Sequence, residues 1–138
     1  MPYEVSVDDA TRTIIVRGYG SGTTADTLEL IDGLKDTLQR CAGYDLLYDA
    51  IALRIESSPA DMVEVADALF GEVGAVLRRF AIVVPPARMP LGHIFAALAD
   101  PYHVTANVFG DVEAARDWLA VRRRDDAGPT PQPPLETP

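Results

Sequence analysis

The chain has 138 residues, of which 48% are hydrophobic and 24% charged, and it contains one cysteine. This is one domain of ordinary globular composition, long enough to bury a real core, which excludes wholesale disorder and a disulfide scaffold. A net charge of −9 repels phosphate backbones and anionic lipid, so nucleic acid is not an expected partner.

No apolar run approaches the roughly 18–20 residues a membrane span needs. The start, MPYEVSVDD, lacks the basic and apolar regions of a secretory signal. The expected setting is the cytoplasm, without integral membrane association. Arg122, Arg123 and Arg124 form the one basic cluster, read as cations at a helix C-terminus.

Tyr3 to Val7 alternates apolar and polar, which predicts a half-buried strand. A turn cluster, Asp8 to Arg12, leads into a β-branched second strand, Thr13 to Gly18, so the two make a hairpin. Gly18, Gly20 and Gly22 are expected to break that strand. Thr23 or Thr24 then caps a helix reaching about Arg40, with Leu28, Ile31, Leu34 and Leu38 on its apolar face. Gly33 in its middle is expected to be justified by close packing on the sheet. Asp45 to Ile51 reads as a third strand with Asp49 near its end.

Ser58, Pro59 and Asp61 are an N-cap, a first-turn proline and an acid at the third helical position, a strong helix start. Met62, Ala66, Leu69, Phe70 and Val73 make this helix's apolar face. Arg79 to Val84 is a continuous apolar run, read as a central parallel strand buried on both sides. Pro90 opens a third helix with the stripe Leu91, Ile94, Phe95 and Leu98. His103 to Phe109 is a fifth strand. Asp111 caps a last helix that turns Val112, Ala115, Trp118 and Leu119 inward. Five of the last ten residues are proline, so 125–138 is expected to be an extended mobile tail on a domain of residues 1–124. A hairpin followed by β-α units predicts a mixed sheet with right-handed parallel crossovers.

Three segments carry a family resemblance: Tyr44 to Asp49 (YDLLYD), Arg79 to Val84 (RFAIVV) and Asn107 to Leu119 (NVFGDVEAARDWL). With these, residues 3–121 resemble the SpoIIAA-like branch of the STAS fold, also labelled STAS/Sec14-like. The resemblance implies an α/β, single-domain STAS/SpoIIAA-like sandwich: a five-stranded mixed sheet in the order β-β-α-β-α-β-α-β-α with four helices. The characterised relatives are anti-sigma-factor antagonists, switched by phosphorylation of a serine where the helix after the third strand begins. The matching stretch here is Glu56-Ser57-Ser58-Pro59, with proline in place of the family's glycine.

The residues themselves name no reaction. Cys41 stands alone, without a positioned base. His93 and His103 lack a third ligand in register, so no metal is expected. Gly18 to Gly22 is neither a Walker loop nor a dinucleotide fingerprint, and no cofactor is implied. Asp49 lies where open α/β sheets place ligand crevices, although capping a loop N–H is its plainer role. An enzyme pairing Asp49 with His93 or His103 has no further support.

The expectation is therefore a non-enzymatic regulatory or protein-interaction module with an unknown protein partner. Ser57, Ser58, Asp61 and Met62 are the candidates for a phospho-switch or partner contact. The alternative is a carrier of a small apolar ligand or lipid, with a crevice drawn from Asp49, Phe70, Met89, His93, Ile94 and Phe95. Homodimerisation is left open.

Overall fold

The computed structural model describes residues 2–55 and 58–127. Strands β1 (Tyr3–Asp8) and β2 (Thr13–Gly22) form the hairpin. Then follow α1 (Thr24–Arg40), β3 (Asp45–Ile55), α2 (Pro59–Val73), β4 (Arg79–Val83), α3 (Met89–Ala97), β5 (Thr105–Phe109) and α4 (Val112–Ala127). Short 3-10 turns at Pro86–Arg88 and Asp100–Tyr102 flank α3.

The strands lie in chain order, β1-β2-β3-β4-β5. β1 is antiparallel to β2, and every later pairing is parallel. Each parallel crossover steps in the same direction across the sheet. Right-handed crossovers that keep one direction place all their helices on one face. Hence α1, α2 and α3 share a face, where Leu34, Leu38, Leu69, Phe70 and Phe95 meet Ile14, Leu46, Phe80 and Val108. α4 packs on the other face, where Ala115 and Leu119 close over Leu47, Ala81 and Val83; among the described residues no strand follows it. All five residues of β4 are buried, as a strand covered on both sides requires.

The helix starts are set locally. Thr23 caps α1 by accepting from the Asp26 N–H at 3.1 Å, while the Asp26 carboxylate accepts from the Thr23 N–H at 2.9 Å. The Asp111 carboxylate accepts from the Ala114 N–H at 2.7 Å at the start of α4.

Four features differ from expectation. First, the glycine segment does not break β2. It continues as strand to Gly22 beside a lengthened β3, with a register shift between Arg17 and Tyr19. A Cβ on Gly18 would lie 2.9 Å from Leu53 Cδ2, so glycine there permits the close strand approach. Second, the buried side of α3 is Gly92 and Phe95, whereas Leu91 and Ile94 are about half exposed, 49% and 52%. The cause is Gly92: a Cβ there would lie 2.6 Å from Val108 Cγ2, so the helix seats on the sheet through its smallest residue. Third, α4 runs to Ala127, three residues past the expected boundary. Fourth, Gly33 is exposed and nothing approaches its Cβ position within 4 Å. Sheet packing therefore does not justify it, and Gly33→Ala should stabilise the protein by about 1 kcal/mol through helix propensity. Urea unfolding of the two proteins checks this; an unchanged midpoint would contradict it.

Candidate functional site

The start of α2 is an exposed, fully capped helix end. Ser58 Oγ accepts from the Asp61 N–H at 3.1 Å, and the Asp61 carboxylate accepts from the Ser58 N–H at 3.1 Å. Pro59 occupies the first helical position, where a missing N–H costs nothing. Ser58, Asp61 and Met62 thus share one turn. Ser58 is exposed, Asp61 and Met62 half-buried. Ser57 lies outside the described residues.

From this turn and the next, Met62 and Val65 face a crevice of about 420 Å³. It opens at the carboxyl ends of β3 and β4, where Tyr48, Ala50, Leu53, Ile82 and Val84 form its floor. The start of α1 contributes Thr27, and α3 contributes Leu91, Gly92 and Phe95. Arg88, from the 3-10 turn before α3, completes the wall. Its Nη2 donates to the Ala50 carbonyl at 2.8 Å and the Ile51 carbonyl at 3.3 Å. These two bonds tie the turn to the end of β3 and fix the guanidinium at the crevice.

The polar groups of the crevice are few. The Tyr48 hydroxyl donates to Tyr3 Oη at 3.5 Å, and Tyr3 Oη lies 2.8 Å from Thr27 Oγ1. Burial pushes the Tyr48 phenol well above its usual range, the adjoining Tyr3 adds to the effect, and Arg88 opposes it. Tyr48 is therefore a neutral hydroxyl. Among the described residues, no acid lines the crevice.

The six residues expected to form a crevice are not brought together. Phe95 is on the wall. Phe70 lies behind it, fully buried, 5.4 Å from Phe80 and 5.5 Å from Phe95 between ring centroids. Met89 packs half-buried against the core, and His93 and Ile94 point outward on α3. Asp49 lies on the α4 face, because its neighbour Tyr48 takes the crevice side and strand side chains alternate. There it accepts from the Ile51 N–H at 3.2 Å and pairs with Arg17 at 3.9 Å.

An acid–base pairing of Asp49 with histidine has no geometry. The sheet separates Asp49 from His93. His103 precedes Thr105, which is level with Arg79, whereas Asp49 is level with Val83. That places His103 about 13 Å or more away along the strands. Among the described residues, no three His, Cys, Asp or Glu side chains are grouped to hold a metal ion. None of the described helices is long and apolar enough to cross a membrane.

Tyr48, Arg88, Thr27, Leu53, Val65 and Gly92 are crevice residues that the sequence did not single out. Strand alternation could have put Tyr48 opposite Asp49. Nothing local connects Arg88 to carbonyls some 37 residues earlier.

No family model matches the chain, and no curated protein matches it. Solved structures do. One is an uncharacterized protein of the DUF3478 family with a SpoIIAA-like fold from Shewanella loihica PV-4. It is 16% identical, with a TM-score of 0.59 over 85% of this chain and 91% of that one. Another is the Bacillus cell fate determinant SpoIIAA in its phosphorylated form, 14% identical, with a TM-score of 0.56 over 85% of this chain and 98% of that one. The chain has the SpoIIAA-like, STAS-type fold expected from its sequence.

Proposed function

We propose that this chain is a non-enzymatic regulatory or protein-interaction module that meets a protein partner through the start of α2. The observation that carries the reading is the fold shared with SpoIIAA, a cell fate determinant solved in a phosphorylated form. The exposed, capped start of α2 supports the choice of surface. Val63, 54% exposed, adds an apolar contact on the same turns.

In this reading Ser58 is the switch residue. A phosphoserine adds about −1.5 to −2 charge. On Ser58 Oγ that charge would face the Asp61 carboxylate, which already holds the Ser58 N–H. Like charges at that distance repel, so phosphorylation dismantles the capping box and reshapes the first turn rather than merely adding charge.

Two substitutions separate the cap from the switch. Ser58→Ala removes the cap acceptor and should cost about 1 kcal/mol of stability. Ser58→Asp keeps an acceptor that ranks with serine, so stability should stay within about 0.5 kcal/mol of the parent. Its added charge should nevertheless weaken partner capture, while Ser58→Ala leaves capture intact. Equal capture by all three proteins would contradict the assignment.

A further inference from the structure

We infer that the crevice at the ends of β3 and β4 binds a small amphipathic monoanion, a single carboxylate on an apolar body, with the carboxylate held by Arg88. The crevice shares Met62 with the partner surface at the start of α2, but its ligand is read from Arg88 and the walls, and either assignment can fail without the other.

Size and lining come first. A volume of about 420 Å³ falls within the range of small-molecule sites, which runs from roughly 300 to 1,000 Å³. Leu53, Met62, Val65, Ile82, Val84 and Phe95 make the walls apolar. They would bury a hydrocarbon body and offer it no hydrogen bond.

Charge decides the head group. The whole chain carries −9, yet among the described residues the crevice is lined by one cation, Arg88, and no acid. Arg88 spends Nη2 on the carbonyls of Ala50 and Ile51. Among the described residues, no acceptor is bonded to its other N–H groups. A guanidinium fixed by two carbonyls is preorganised, so little side-chain entropy is lost when it meets a carboxylate. Beside apolar walls that bond is screened less than on the open surface. A second anionic group would find no second cation among the described lining residues and would meet the field of the acidic chain, which limits the ligand to one charge. A cationic amphiphile would face Arg88 directly.

The test is calorimetric titration of the full chain with decanoate, decanol and decyltrimethylammonium, each below its micelle concentration. Decanoate should bind, and decanol and the cation should bind roughly tenfold or more weakly. Arg88→Gln should weaken decanoate by roughly tenfold or more, while Arg88→Lys retains part of the affinity. Arg88 also braces β3, so Val65→Phe supplies a second variant: it fills the crevice from α2 and should abolish binding with the thermal midpoint retained. No decanoate binding, equal binding of decanol, or binding unchanged in Val65→Phe would overturn the inference. Sedimentation with phosphatidylglycerol vesicles without decanoate binding in solution would also overturn it, because the anion would then belong to a membrane surface.

Discussion

Replacing Arg78 with alanine is expected to cost about 3–5 kcal/mol of folding stability, the loss typical of breaking a buried ion pair from one side. Asp45 is 1% exposed at the start of β3. Arg78 straddles it, with Nε 3.0 Å from Oδ1 and Nη2 donating to Oδ2 at 3.2 Å. The same Nη2 donates to the Leu119 carbonyl at 3.2 Å, which pins α4 to the sheet. The alanine variant therefore strands a buried carboxylate and releases α4 together. Exchanging both partners, Asp45→Leu with Arg78→Met, removes the stranded charge and should recover much of the loss. Urea unfolding of the single and double variants reads this directly. A single variant within about 1 kcal/mol of the parent would contradict it.

Phe70→Ala should be nearly as severe, again about 3–5 kcal/mol. Phe70 is 1% exposed on α2. Its ring meets Phe80 edge-on, with 80° between ring planes, and also touches Phe95 and Tyr102. One side chain thus joins α2 to β4, to α3 and to the turn after α3. Removing it deletes a large buried surface and leaves a cavity that three elements cannot close together. Phe70→Leu keeps most of the volume and should lose clearly less. Equal losses for the two variants would show that ring contacts, rather than the cavity, dominate.

What was legible in the sequence was what local chemistry sets. Thr23, Ser58 and Asp111 announce their helices because a cap is a bond between a side chain and an N–H three residues on. Arg79 to Val83 announces a central strand because burial on both faces removes the polar alternation. The features that differed depend on distant partners. The glycines of β2 remain strand because β3 extends beside them and Leu53 packs against Gly18. The inward side of α3 is set by Val84 and Val108 meeting Gly92, which a helical stripe of large residues does not anticipate.

The candidate site divides the same way. The turn of Ser58, Asp61 and Met62 could be read from spacing alone. The crevice could not, since Tyr48, Val65, Arg88 and Phe95 come from four separate segments. Asp49 is an acid near a strand end, the position at which open α/β sheets place ligand crevices. Being one residue from Tyr48 sends it to the opposite face.

The proposed role of the start of α2 is that of a protein-contact surface under the control of Ser58. It is tested most directly by quantitative affinity capture with the full chain, comparing the parent with Ser58→Asp and Val63→Glu. Val5→Glu, on the outer strand β1, serves as the control. A protein should be held by the parent and the control, and its capture reduced roughly tenfold or more by both α2 substitutions. Capture that Ser58→Asp and Val63→Glu leave unchanged, or that only Val5→Glu removes, would contradict it.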